Sequence, residues 1–421
     1  MPRRLLASLA LLSLVAGAFA APTASSLAWL PPDLPPAPAT GPALCPGAFL
    51  KPEQGQAVLD AALAQFPDRA AWQAYAGHVR DRIQRGAGLA PWPRRTPLNA
   101  VVRARRTYDG YSVENVAFES VPGSYVTGNL YRPLQAKPPF PVILATHGHT
   151  NKITKPEDYD NHGRFSPLTQ ARCGALARMG AVVLAIDMFG CGDSIALVGA
   201  AAHRQPFTLT IQTWNAIRAV DFLLALDGAD PRRLGVTGES GGGTQSFLLT
   251  ALDARVQLSV PVVMVSAYFF GGCLCESGLP IHRSADHFVS NAMIAALAAP
   301  RPMLVVSDGK DWTQHVPTME FPFLRKIYAY YGAESAVANV HLPTEGHDYG
   351  PSKRAAMLRF VAGRFGLDLT AVQGADGQID ESRITIERAG PLHVFNDEFP
   401  LPATALRDAA SVERVLRGLQ Q

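Results

Sequence analysis

Ser240 lies in Gly238-Glu239-Ser240-Gly241-Gly242, a G-x-S-x-G pattern. The run before it, Arg233-Leu234-Gly235-Val236-Thr237, is short and apolar. The run 243–249 after it has the spacing of a buried helix. A serine on a sharp strand-to-helix turn presents its hydroxyl as a nucleophile, and flanking glycines relieve the crowding of such a turn. That hydroxyl needs a base to take its proton, and histidine has the pKa for it. A carboxylate must then fix the imidazole tautomer and stabilise the imidazolium. His347, in Thr344-Glu345-Gly346-His347-Asp348-Tyr349-Gly350, follows the last expected strand and precedes the last core helix. Asp308 and Asp311, in Val305-Val306-Ser307-Asp308-Gly309-Lys310-Asp311-Trp312, both follow a strand end, and either can supply the carboxylate.

Holding these groups at one edge requires a repeating frame. Unbroken apolar runs predict strands at 142–146, 181–186, 234–237, 258–265, 303–306 and 340–342. Helical spacing predicts helices at 167–179, 207–226, 242–252, 321–331 and 352–365. Apolar strands alternating with helices mean an α/β fold with a mostly parallel central sheet covered on both faces. Chemistry then gathers at the carboxyl ends of the strands. Upstream, 53–85 reads as one or two helices broken near Pro67, and 111–133 as a β-hairpin turning at Pro122-Gly123-Ser124. The tail holds a strand-like run, Ile384-Thr385-Ile386, and a final helix at 409–419. The division expected is a leader at 1–20, a Pro/Ala-rich arm at 21–50, a helical extension at 51–110, the catalytic domain at 111–366 and a C-terminal extension at 367–421.

Arg3 and Arg4, the apolar stretch 5–15 and Ala18-Phe19-Ala20 have the form of a secretory signal peptide cleaved after about Ala20. The mature chain is expected to be exported, periplasmic or extracellular, with no membrane span. A net charge of +3 over 421 residues suggests no nucleic-acid partner. Five cysteines permit disulfides in an exported chain, among Cys45, Cys191, Cys273 and Cys275, with Cys173 a buried thiol. Cys273 and Cys275 alone are too sparse for zinc, and His147 with His149 would need a third ligand from Glu157, Asp158, Asp160 or His162. No metal and no cofactor are expected.

From about 111 to 365 the chain resembles secreted α/β-hydrolases of the acetylxylan-esterase-like, dienelactone-hydrolase-related group. The residues that carry this are Thr146-His147-Gly148, Asp187-Met188-Phe189-Gly190-Cys191-Gly192-Asp193-Ser194, the Ser240 motif continuing through Gly243-Thr244-Gln245, the stretch 302–312 and the His347 loop. The chain has Phe189-Gly190-Cys191-Gly192 where carbohydrate esterase family seven has R-G-Q-G, and Ser where dienelactone hydrolases have Cys. The resemblance implies the chain order Ser, acid, His, with Ser240, Asp311 and His347 catalytic. Asp311 is preferred because Gly309-x-Asp311 leading to Val316-Pro317 resembles the acid loop of the superfamily, which leaves Asp308 to cap the turn. It also implies an oxyanion hole from the N–H groups of Gly241 and His149, and a structural role for Asp187. Candidate substrate contacts are Glu239, Trp312 and Arg283, the last in a specificity segment at 269–291 whose alternative is a solvated lid. The implied activity is serine-dependent cleavage of carboxylic esters, such as deacetylation of xylan, on an ester-bearing small molecule or polysaccharide. Two other readings are a prolyl-oligopeptidase-like peptidase and a hydrolase fold kept for binding. The first is disfavoured because about 100 residues before the core cannot build a propeller. The second is disfavoured because binding alone needs no such triad.

Overall fold

The computed structural model describes residues 27–34, 47–48, 50–149, 152–277, 280–284 and 286–421. The expected leader, most of the arm and Cys45 lie outside the described residues. Nine strands form one sheet. They are β1 Val101–Thr107, β2 Tyr111–Val121, β3 Ser124–Pro133, β4 Phe140–Ala145, β5 Val182–Ile186, β6 Ala229–Glu239, β7 Leu258–Val262, β8 Met303–Asp308 and β9 Val337–Leu342. Their spatial order is β9-β8-β7-β6-β4-β5-β3-β2-β1. Strands β4 to β9 pair in parallel. Strands β1 to β3 form an antiparallel meander that joins β5 through β3. The expected hairpin is β2–β3, with Val121 opposite Ser124 at the turn. Strand β1, inside the segment read as a helical extension, extends the same sheet.

The principal helices are α1 Pro52–Gln65, α2 Arg69–Gly86, α3 Pro167–Arg178, α4 Phe207–Leu224, α5 Gly241–Leu252, α6 Asn291–Ala296, α7 Glu320–Ala329, α8 Pro351–Phe365 and α9 Ala409–Gly418. Local chemistry sets their ends. Asp68 accepts the Ala71 N–H at 2.9 Å and starts α2 just after Pro67. Pro167 and Pro351 occupy the first turns of α3 and α8, where no N–H is missed.

Both faces of the central strands β4, β5, β7 and β8 are buried, which is why they read as unbroken apolar runs. In β4, Val142 and Leu144 join one core with Trp214 and Phe222 of α4 and Phe247 of α5. Ile143 and Ala145 join the opposite core with Leu176 of α3 and Met357, Leu358 and Val361 of α8. Two expectations give way. Strand β7 stops at Val262, because Val263 turns the chain with a φ of 47°. Ile384-Thr385-Ile386 makes no ladder; Tyr111 Oη accepts the Thr385 N–H at 3.0 Å instead. The C-terminal segment packs on the core through Leu392, Val412 and Leu416.

Candidate active site

Ser240 stands between β6 and α5 with φ 55° and ψ −122°. A non-glycine residue there stores on the order of 1–3 kcal/mol, which surrounding packing must hold. The packing is tight. A Cβ on Gly238 would lie 2.2 Å from Thr146 Oγ1, and one on Gly242 would lie 2.9 Å from the His147 backbone. Strand and helix can approach this closely only because both positions are glycine. The Ser240 N–H donates to Val262 O at 3.0 Å, so the ladder from β6 to β7 continues through the turn.

Asp311 and His347 come from the loops after β8 and β9. His347 Nδ1 lies 2.6 Å from Asp311 Oδ2, with the aspartate side chain 3% exposed. Asp311 Oδ1 accepts from Thr313 N at 2.6 Å and Thr313 Oγ1 at 2.5 Å, which orients the carboxylate. Asp308 is buried at the end of β8 itself. It accepts the Lys310 N–H at 3.1 Å and sits 3.5 Å from Lys353 Nζ. Burial, and then the charge of Asp311, push the Asp308 carboxyl above the usual carboxylate range.

Lys353 was not anticipated from sequence. Its ammonium is fully buried and donates to Gly346 O at 2.6 Å and Asp348 Oδ1 at 2.9 Å, on either side of His347. Desolvation acts to lower its pKa. The bond to Asp348 and the charges of Asp348, Asp308 and Glu345 outweigh this and raise it. The one available signal was a cation in the first turn of α8, where the helix dipole disfavours it.

The loop after β4 lies against the serine. A Cβ on Gly148 would be 3.0 Å from Ser240 Cβ, and one on Gly241 would be 3.3 Å from His149 Cε1. The loop therefore brings His149 and Gly241 side by side next to Ser240. His147 is structural: its Nε2 accepts the Met188 N–H at 3.1 Å, and burial pushes its imidazole down to about 3. It shares no metal cluster with Glu157, Asp158, Asp160 or His162 among the described residues. Glu239 was expected as a candidate substrate contact, but its carboxylate is already engaged. It accepts the Gly148 N–H at 3.1 Å and lies 3.0 Å from the buried Arg172 guanidinium. Its position is that of a strut between the elbow and the His149 loop.

Asp187 bonds loop backbone as expected, accepting the Asp193 N–H at 3.0 Å and the Thr127 hydroxyl at 2.7 Å. Arg164 lies 2.9 Å from Asp187 and 2.6 Å from Asp193, and Val394 N–H of the C-terminal segment also donates to Asp193 at 2.7 Å.

The segment 269–291 is not a solvated lid: its described residues are mostly buried. Arg283 is buried in a short hairpin, Arg283–Ser284 with His287–Phe288, and its guanidinium sits over the Phe288 ring at 5.6 Å. That packing replaces the expected substrate contact. Trp312 stacks on Phe269 at 3.8 Å and lies 4.5 Å from the His347 ring, packing against one side of it. The strand Phe269–Gly271 pairs with Gly47–Ala48 of the arm. Cys173, Cys191, Cys273 and Cys275 are all free thiols.

Cys273, Cys275, His149 and His203 cluster beside Gly241, a grouping not legible in sequence. His149 Nε2 lies 3.0 Å from Cys275 Sγ. The Cys273 thiol is pulled down to about 2, first by hydrogen bonding from Cys275 and then, against desolvation, by His149 and His203. Desolvation lowers His203, but the Cys191 and Cys273 sulfurs outweigh it and lift the imidazole to about 10. His149 and His203 also line a cavity of about 480 Å³ that takes in Lys152, Tyr159, His162 and Arg204. A larger cavity, about 600 Å³, opens between Ile153–Asp160 and Arg388–His393 and contains none of the three predicted catalytic residues.

A doubly covered sheet of this strand order, with a serine on the β6–α5 elbow, is an α/β-hydrolase fold, and the esterases it is similar to make the chain a carboxylic-ester hydrolase. No family model matches it. Among solved structures, Methylesterase BT1017 is 38% identical, with a TM-score of 0.78 over 89% of this chain and 82% of that one. The chain belongs to the same family of α/β-hydrolase esterases as that protein. A glucuronoyl esterase from Solibacter usitatus shares the fold at 17% identity, with a TM-score of 0.51 over 78% of this chain and 99% of that one. The 4-O-methyl-glucuronoyl methylesterase of Neurospora crassa is 27% identical over 195 residues, 38% of this chain and 48% of that protein. The chain thus spans about half the length of this relative. No helix among the described residues is long and apolar enough to cross a membrane.

Proposed function

We propose that this protein is an exported carbohydrate esterase that uses Ser240, His347 and Asp311 to hydrolyse the methyl or alkyl ester of a sugar acid. The observation that carries the reading is the 2.6 Å contact of His347 Nδ1 with Asp311, on loops at the same carboxyl edge of the parallel sheet as the strained Ser240 turn. With Nδ1–H given to Asp311, His347 Nε2 is the base. Ser240 Oγ attacks the ester carbonyl carbon as Nε2 takes its proton. The N–H groups of Gly241 and His149 hold the oxyanion. The intermediate collapses, and the alcohol leaves with the proton from His347. Water, deprotonated by His347, then attacks the acyl-enzyme and frees the acid and Ser240.

Two observations favour a sugar-acid ester over an acetyl group. The first is the 38% identity to a methylesterase across most of both chains. The second is the cavity at His149, lined by Lys152 and Arg204 and by no Asp or Glu among the described residues. Such a wall suits a polymer that carries free carboxylates beside the esterified one. Acetylated xylan, the substrate class expected from sequence, is the second reading; the fold neighbours do not separate the two. Export rests on the basic, apolar and Ala-x-Ala pattern of residues 1–20.

The test is release of methanol from a methyl-esterified polyuronate and of acetate from acetylated xylan, by wild type and Ser240→Ala. Methanol release by wild type alone supports the proposal. Acetate release without methanol restores the acetyl reading. Turnover by Ser240→Ala equal to wild type overturns the serine mechanism. Lys152→Ala with Arg204→Ala should raise KM for the polyuronate while leaving p-nitrophenyl acetate turnover within about twofold.

A further inference from the structure

Two cysteines one residue apart have no zinc signature of their own, yet the fold supplies what the sequence spacing lacks. His149 comes from the loop after β4, His203 from the turn Ala200–Arg204 after β5, and Cys273 and Cys275 from the segment after β7. One nitrogen or sulfur atom from each lies within 4.8 Å of all the others. We propose that these four side chains bind a zinc-class divalent ion in a closed, structural site beside the nucleophile.

The donor set selects the metal. Two thiolates and two imidazoles are the ligands of tetrahedral zinc, whereas calcium and magnesium demand oxygen. Bond lengths of about 2.3 Å to sulfur and about 2.0–2.1 Å to nitrogen imply tetrahedral edges of about 3.3–3.8 Å. The observed spacings straddle these edges, from 3.0 Å between His149 and Cys275 to the 4.8 Å limit. Shifts of side-chain size close the site. Two thiolates also neutralise a divalent charge, which matters where Cys273, Cys275 and His203 are all buried.

His203 is held as the outer-sphere support of a metal would hold it, and a carboxylate stands near the His149 ring. His203 Nδ1 faces the Phe189 carbonyl at 2.8 Å, which leaves Nε2 as the ring nitrogen a metal would take in place of its proton. That Nε2 is buried and makes no hydrogen bond. His149 Nδ1 lies 3.6 Å from Glu276 Oε1, and Glu276 is itself fixed by the Gly272 N–H at 2.7 Å. A carbonyl or carboxylate behind each ring, with the far nitrogen turned inward, is the usual second layer of a histidine–metal site. The four ligands leave no open position, so the ion does not activate water. It ties three loops together, one of which carries His149 to the side of Gly241. The inference stands independently of the ester class proposed above.

The experiment uses the full-length protein, purified under reduction without chelator. Metal content is measured by mass spectrometry, and the metal-free protein is titrated with cobalt(II). The expected result is about one equivalent of zinc per chain, and on cobalt addition the thiolate charge-transfer and visible bands of a tetrahedral site. The double variant Cys273→Ser, Cys275→Ser should lose both signals. Cys173→Ala, whose sulfur lies on α3 in the other core, should keep them. If the double variant is unfolded by circular dichroism, His203→Gln takes its place. Wild type that carries no metal and gives no cobalt bands overturns the proposal. So does cobalt absorption that survives in the cysteine variant, or a Cys273–Cys275 disulfide as the main form in peptide mapping.

Discussion

The two aspartates of the β8 loop make a decisive pair of substitutions. In the proposed triad Asp311 Oδ1 is held by two donors, Thr313 N and Thr313 Oγ1. An asparagine at 311 must keep its carbonyl oxygen on those donors, so its amide NH2 turns toward His347. The imidazole then accepts at Nδ1 and carries its proton on Nε2, where it cannot take the proton of Ser240. The carboxylate charge is lost as well. For charge centres about 4 Å apart at an effective dielectric near 20, that charge is worth about 4 kcal/mol to an imidazolium, or roughly 1,000-fold in rate. Asp311→Asn should therefore lower kcat by about 1,000- to 10,000-fold with KM little changed. Asp308→Asn should lower it by less than about tenfold. Lys353 keeps Gly346 O and Asp348 as acceptors. The assay is initial-rate hydrolysis of p-nitrophenyl acetate, with thermal midpoints to show that both variants fold. A crippled Asp308→Asn beside an active Asp311→Asn would move the acid to 308 and refute the reasoning. Two mild variants would remove the carboxylate from the mechanism altogether.

Three further outcomes are expected. Lys353→Met removes the ammonium that bridges Gly346 and Asp348 and leaves buried Asp308 without its cation; a loss of about 3–5 kcal/mol in denaturant unfolding is expected, and a change below about 1 kcal/mol would contradict it. Gly242→Ala places a Cβ 2.9 Å from the His147 backbone; the folded variant should lose about 10- to 100-fold in kcat, and unchanged turnover would show that the loop can give. Burial raises the Glu320 carboxyl to about 7, so the folded state holds a proton that the unfolded state releases from about pH 4.5 upward. Stability is then full below pH 4.5 and falls by about 3 kcal/mol as pH rises to 7, with the loss constant above that. Glu320→Gln keeps the 2.8 Å bond from the Ala267 N–H and should be more stable than wild type at pH 8 but not at pH 4. Parallel pH profiles of the two proteins' unfolding midpoints would refute this.

What could be read from the residues alone followed from how far apart in sequence the partners lie. The elbow was legible because its glycines, strand and helix fall within one short run. The strands of the parallel sheet were legible because burial on both faces leaves no polar alternation to confuse them. The end of β7 was not, because Val263 takes a backbone conformation that a β-branched residue rarely adopts. Residue roles set by distant partners were the ones misread. Glu239 sits next to the nucleophile, and adjacency suggested contact with substrate. Its carboxylate is committed by Arg172, more than sixty residues earlier in the chain, whose pairing nothing in the local sequence announces. Arg283 was a candidate substrate contact because its segment lies between two strands on the catalytic edge. It is buried because the arm and α2 cover that segment, with Arg82 reaching Ser284 at 2.6 Å and Asp286 at 2.7 Å. The same logic hides His203 from Cys273 and Cys275. A metal motif is recognisable in sequence only when its ligands share one loop or hairpin. Three loops that converge at the carboxyl edge of a parallel sheet can assemble the same ligands with no spacing rule at all. Sites at such an edge have to be sought by asking which loops the strand order makes neighbours. Here the order β7-β6-β4-β5 makes neighbours of the loops that carry both the proposed nucleophile and the cysteine–histidine cluster.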